Sequence, residues 1–331
     1  MLVRTLTGKR ENAAQQAKED NTMNDVLAAQ AEGRIGVRSL LRSAVPLLDQ
    51  QPTNCPICLS GVRRLVANEH EWPIWQCHSC THVYISPQPS AHWLAEWYRD
   101  DYLPDTNDCD MYEGSRRRIY PVVAQALTHY HGGPGDLLDV GAGFGGLMVS
   151  AARLGWHPTG VEPSGTALRV AQQRLGAGVP LIHGSLDMAG LPCASFDGVT
   201  MLNVIEHVRD PLAVCRQAFD LLRPGGCLAL RCPPRLACYP RWARSRWFCG
   251  VVISAPEHLH EYTWRSLHDL MRRAGFEDLR FYWPGLGAAD RARPTLRGTA
   301  GRLLDVIGPW VTACACGRVC PPPAAKVADW A

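Results

Sequence analysis

Leu137-Leu138-Asp139-Val140 runs directly into Gly141-Ala142-Gly143-Phe144-Gly145-Gly146, and Leu147-Met148-Val149-Ser150-Ala151-Ala152-Arg153-Leu154-Gly155 follows. The first four residues predict a short buried strand and the last nine an amphipathic helix. Glycines between them let the backbone turn sharply and come close to a ligand at the helix mouth.

Taken alone, that string fits more than one chemistry. Gly141, Gly143 and Gly146 satisfy G-x-G-x-x-G, the dinucleotide fingerprint, and Glu162 stands near the distance expected of a ribose-binding acid. Two features break the tie. Asp139 occupies the strand end, where dinucleotide fingerprints keep apolar residues. Downstream, the chain then repeats strand and helix in a fixed order. HPTGVEP ends in Glu162, TALRVAQQRLG reads as a helix, and VPLIHG leads to SLDMAGLP. SFDGVTMLNVIEHVRDP, the helix AVCRQAFDLLRPGG and the strand CLALRCPP complete the series.

Over about residues 135–283 the chain resembles the class I S-adenosylmethionine-dependent methyltransferases. D-x-G-x-G-x-G is met by Asp139, Gly141, Gly143 and Gly145, the acid after the second strand by Glu162, and the turn before the fifth strand by Leu222-Arg223-Pro224-Gly225-Gly226. The resemblance implies an α/β fold, a Rossmann-like doubly wound, seven-stranded and mostly parallel sheet. It implies S-adenosyl-L-methionine as cofactor, with Gly141, Ala142, Gly143, Phe144 and Gly145 around its methionine half. Glu162, with Pro163 beside it, would take the ribose hydroxyls. Leu186 would frame the adenine and Asn203 would face the sulfonium.

Candidates for work on the acceptor come from three places. Glu206-His207 follows the fourth strand of the series, where ligands bind in open α/β sheets. Ubiquinone-biosynthesis O-methyltransferases read E-x-x-E-H here and bind a divalent cation, whereas this chain has Asn203 at the first carboxylate position. That substitution weakens the case for a metal and leaves His207 as a candidate general base. His258 lies in EHLHEYT, a segment that resembles one near the acceptor cleft of many methyltransferases. Thr263 there predicts a helix N-cap and Gly275 its stop. The resemblance implies that the insertion at 235–256 forms a lid; residues 235–248 hold four Arg and no acid among Trp and Tyr, compatible with an anionic acceptor.

Cys55-Pro56-Ile57-Cys58 and Cys77-His78-Ser79-Cys80 give C-x2-C-x18-C-x2-C. Two such knuckles supply four thiolates for a tetrahedral, closed and therefore structural Zn2+. Zinc knuckles usually place Gly just after the second Cys, where Leu59 and Thr81 stand here. Trp72, Trp75, Tyr84, Trp93, Trp97 and Tyr98 crowd this segment, and packing against the next domain is the expected use.

The rest of the chain sets limits. It has 331 residues, 46% hydrophobic and 20% charged, and Lys+Arg exceeds Asp+Glu by 34 − 31 = 3. Such a balance excludes a protein that coats nucleic acid by bulk charge. No apolar run approaches the roughly 18 residues a membrane helix needs, and the N-terminus lacks a secretory signal, which predicts a soluble, cytoplasmic protein. Four divisions are expected: a flexible leader at 1–50, a zinc ribbon and connector at 51–110, the methyltransferase domain at 111–283, and a tail at 284–331. That tail holds no convincing final strand, and Cys314, Cys316 and Cys320 are too irregularly spaced for a second metal site. The expected function is methyl transfer to oxygen of a small-molecule acceptor. An RNA methyltransferase gripping its substrate with the ribbon, and a non-catalytic zinc-ribbon interaction protein, are the alternatives.

Overall fold

The computed structural model describes residues 54–69, 72–101, 113, 116–232, 255–282 and 313–319. The predicted leader at 1–50, residues 235–254 of the predicted lid and residues 296–308, whose sequence LRGTAGRLLDVIG predicts a helix, lie outside them. The strands are β1 (Arg63–Glu69), β2 (Trp72–Cys77), β3 (Val83–Ile85), β4 (Asp136–Val140), β5 (His157–Glu162) and β6 (Leu181–His183). They continue with β7 (Phe196–Leu202), β8 (Leu222–Cys232), β9 (His260–Glu261), β10 (Phe276–Tyr282) and β11 (Ala313–Val319). The α-helices are α1 (Ala91–Glu96), α2 (Ile119–His131), α3 (Gly146–Ala152), α4 (Gly165–Leu175), α5 (Pro211–Leu221) and α6 (Trp264–Ala274).

Five parallel strands in the order β8-β7-β4-β5-β6 form the central sheet. From β4 the chain builds outward through β5 and β6, then returns to place β7 on the other side. The crevice between the ends of β4 and β7 is thus the switch point at which open α/β sheets bind ligands. Beyond β8 the sheet turns antiparallel: β11 pairs with β8, and β10 pairs with β11. The tail therefore does hold a strand, contrary to the expectation from its sequence. Ala313-Cys314-Ala315-Cys316-Gly317 has little intrinsic preference for extended backbone, and pairing on both sides decides its state.

Local signals start and stop the helices. Ser164, Asp210 and Thr263 cap α4, α5 and α6 by accepting hydrogen bonds from Ala167 N, Ala213 N and Ser266 N. Thr263 and Ser266 close a reciprocal capping box, and Gly275 ends α6 at φ +107°, as the sequence predicts. Helix α6 buries Leu267, Leu270 and Met271. No helix among the described residues is long and apolar enough to cross a membrane.

The cysteine segment makes two equivalent turns. Leu59 N donates to Cys55 O at 2.9 Å and Thr81 N to Cys77 O at 3.1 Å. Leu59 and Thr81 adopt φ +64° and +63°, so the position that favours glycine is kept in its left-handed form without one. Strands β1, β2 and β3 form an antiparallel sheet whose fourth member, β9, comes from the segment predicted as methyltransferase domain. Cys55, Ile57, Cys77, Cys80 and Tyr84 also share one hydrophobic cluster with Leu138, Val140 and Met201. The ribbon and the larger sheet have a common core.

Under the switch point, β4 and β7 are joined by side chains as well as backbone. Asp139 and Thr200 are direct cross-strand partners, and Thr200 Oγ1 donates to Asp139 Oδ1 at 2.7 Å. Burial pushes the Asp139 carboxyl up to about 7, with Thr200 pulling the other way. The folded protein therefore keeps a proton that the unfolded chain releases near pH 3.8, and stability falls as pH rises from there through about 7. Asp139→Asn keeps an acceptor for Thr200 without the charge. It should raise the melting temperature above that of the unsubstituted protein at about pH 8 and leave it nearly unchanged at about pH 4. Thermal denaturation across that range checks this; equal curves at the two ends would exclude a raised Asp139.

Candidate active site

The glycine loop leaves β4 under tight control. Gly141 N and Ala142 N both donate to Val161 O, at 2.8 and 3.1 Å, which pins the loop to β5. Gly141, Gly143 and Gly145 have φ of +70°, +52° and +77°. A Cβ on Gly141 would lie 2.5 Å from Val204 Cγ2, so the loop after β4 rests directly on the turn after β7. A Cβ on Gly143 would meet no heavy atom within 4 Å. A side chain there would cost about 1–2 kcal/mol of backbone strain, and the space beside it is open. Ala142 and Phe144 are buried, and the Phe144 carbonyl accepts from Arg174 Nη1 at 3.0 Å. Arg174 also pairs with the buried Glu113 at 2.6 Å, which fixes the far side of the loop.

Glu162 closes the rim at the end of β5. Its Oε2 accepts from Gly143 N and its Oε1 from Ser164 N, each at 2.8 Å. Burial raises its pKa while these two amides favour the charged form. Each carboxylate oxygen has a second lone pair, so two further donors can be accepted. Pro163 offers its carbonyl to His183 Nε2 at 2.8 Å. Leu186 is buried at the start of a short 3-10 turn, its carbonyl held by Gln217 Nε2 at 2.9 Å. Asn203, at φ +57° just past β7, has its side-chain oxygen bonded by Arg231 Nη1.

The turn after β7 delivers a second group. Glu206, His207 and His258 bring one carboxylate oxygen and two ring nitrogens within 4.8 Å of one another. Glu206 is 1% exposed, and neither of its carboxylate oxygens has a hydrogen-bond partner among the described residues. Burial pushes its pKa up to about 7, against the favourable charge of Arg231 and Arg116. His207 Nδ1 lies 2.8 Å from both Glu257 O and the Tyr98 hydroxyl, so it donates to the carbonyl in one tautomer and accepts from the hydroxyl in the other. Nε2 stands 3.8 Å from Glu206 Oε1. Burial, and then the neighbouring His258, push the His207 pKa down to about 3, so its ring is neutral at working pH. The His258 ring meets His207 edge-on, with centroids 4.7 Å apart.

One member of this group escapes sequence reasoning about function. Tyr98, expected only to pack, places its hydroxyl 2.8 Å from His207 Nδ1 and donates to Glu257 O at 3.2 Å. Glu206 and His207, expected together at the strand end, do meet His258 there. The four thiols of Cys55, Cys58, Cys77 and Cys80 form a separate cluster. Cys55 and Cys80 Sγ atoms are 3.5 Å apart, as are those of Cys58 and Cys77, a donor set that fits one tetrahedral Zn2+.

Residues 112–280 match the family model described as a methyltransferase domain. A ubiquinone biosynthesis O-methyltransferase of Albidiferax ferrireducens is 43% identical over 115 residues, 33% of this chain and 46% of that protein. One of Ruegeria pomeroyi is 32% identical over 152 residues, 43% of this chain and 59% of that protein. The chain thus spans about half the length of the curated relatives it matches. Among solved structures, the 1,6-didemethyltoxoflavin-N1-methyltransferase of Burkholderia thailandensis aligns with TM-score 0.50 at 19% identity, over 73% of this chain and 97% of that one. A chain from the complex of the Haloferax volcanii Trm112 methyltransferase activator with a methyltransferase gives 0.51 at 14%, over 69% and 97%. At these identities the structures show a shared fold. The chain belongs to the methyltransferase-domain family, with the class I S-adenosylmethionine-dependent architecture that its glycine loop resembles.

Proposed function

We propose that this chain transfers a methyl group from S-adenosylmethionine to oxygen of a small-molecule acceptor. One observation carries the reading. The open face at Gly143, rimmed by Glu162, and the Glu206–His207–His258 group stand at the same carboxyl edge, on the two sides of the switch point. In this reading the loop Gly141–Gly145, with Asp139 beneath it, receives the methionine half. Glu162 and Pro163 border the ribose, Leu186 borders the adenine, and Asn203 faces the sulfonium. The sulfonium is already an activated methyl donor, so aligning the acceptor and excluding water supply most of the acceleration.

A hydroxyl acceptor must also lose a proton, and the group after β7 stands where that proton leaves. Its donor set fits a divalent cation through the buried Glu206 carboxylate and the imidazoles, and such an ion supplies Lewis acidity that lets a hydroxyl ionise near neutrality. The names of the relatives, ubiquinone biosynthesis O-methyltransferases, support oxygen as the acceptor atom. The cysteine cluster, in the same reading, holds structural Zn2+ that braces β1 to β3 and, through the shared core, the larger sheet.

Glu162→Ala and Gly143→Ala should each weaken S-adenosylmethionine binding about tenfold or more by calorimetry, with the secondary structure retained. Unaltered affinity in both would remove the cofactor site from this loop. A labelled-methyl transfer screen over hydroxylated small metabolites and RNA should label a small molecule. His207→Ala should then cut turnover by about a hundredfold with cofactor affinity within about twofold. Label confined to RNA would overturn the reading. Cys58→Ser should lower zinc content and lower the melting temperature of the whole chain in one transition. A second, independent transition would show that the ribbon stands alone.

A further inference from the structure

The group after β7 carries more than a site for proton removal. We propose that Glu206, His207 and His258 bind a divalent transition metal, and that His258 supplies the third donor in place of the carboxylate that Asn203 replaces. The inference deepens the reading above, and rests on it for the use made of the ion. Binding of the ion itself is measured without turnover.

Geometry argues for a metal over a simple Glu–His pair. In a base-and-orienter pair the carboxylate accepts the imidazole N–H. Here His207 Nε2 stands 3.8 Å from Glu206 Oε1, beyond the reach of that hydrogen bond, while Nδ1 is turned to the backbone at Glu257. With His258, three ligand atoms lie within 4.8 Å of one another without the hydrogen bond that would pair Glu206 and His207 directly. Such an arrangement is satisfied by a cation between them. A histidine that donates its other ring nitrogen to a backbone carbonyl is also the usual form of a metal-bound imidazole. Tyr98 reinforces it by donating to the same carbonyl.

Residue 203 cannot complete the set. Asn203 is turned into the left-handed region and its oxygen is engaged by Arg231. His258 enters from another element, just ahead of β9, and its ring nitrogen falls within the same 4.8 Å group. One carboxylate and two imidazoles form a set that favours Mn2+, Fe2+, Co2+, Ni2+ or Zn2+, whereas Mg2+ and Ca2+ are held by oxygen. Three protein donors leave coordination positions for an acceptor oxygen. The rival is a metal-free site in which the charges of Arg231 and Arg116 alone balance Glu206.

The test is a titration of full-length protein carrying one equivalent of zinc, which the four thiolates take first, with Mn2+, read by loss of the free Mn2+ electron paramagnetic resonance signal. One equivalent should bind, and millimolar Mg2+ should not displace it. His258→Ala and the isosteric Glu206→Gln should each weaken binding at least tenfold, while the melting temperature and S-adenosylmethionine affinity are retained. No stoichiometric binding, equal binding in both variants, or ready displacement by Mg2+ overturns the proposal. In the first case, intact cofactor binding and methyl transfer would leave the functional reading standing and favour the arginine-balanced site. Metal binding without methyl transfer to any acceptor would refute the functional reading and not the metal.

Discussion

The carboxylate of Glu162, held between the amides of Gly143 and Ser164, is the contact on which the cofactor edge of this protein depends. It ties a loop made of residues in left-handed backbone to the end of the neighbouring strand. Without an acceptor there, the buried Ser164 N–H would be stranded at a cost of about 1–3 kcal/mol, and the half-buried Gly143 N–H would lose its partner. The same bonds start α4, because Ser164 is also its N-cap. One side chain therefore shapes the loop, opens the helix and faces the ligand space.

Much of this was readable because the signals are local. D-x-G-x-G-x-G names its own turn: the structure places Gly141, Gly143 and Gly145 at positive φ, with the strand before and the helix after. Thr263 and Gly275 announce both ends of α6 for the same reason. Cys-x2-Cys spacing fixes the knuckles so firmly that Leu59 and Thr81 accept a conformation glycine would take more easily.

What was not readable depends on partners distant in sequence. Strand β11 owes its state to β8 and β10, and its own residues say little. Strand β9, two residues long, is a strand because β3 offers an edge to it. Tyr98 looked like one of several packing aromatics, since nothing in its neighbourhood points to His207, 109 residues away. Even Glu206 was legible only by position. Its burial without a hydrogen bond is a property of the folded core.

The pairing of β3 with β9 has a consequence for how the chain is made. The amino-terminal hairpin leaves the ribosome long before His260 and Glu261 exist, so the open side of β3 waits without its neighbour. An uncovered edge of that kind invites foreign strands. Its lateness also means that the segment bearing His258, just ahead of β9, joins a hairpin synthesised well before it. The small module thus supplies the edge on which that part of the larger one is laid.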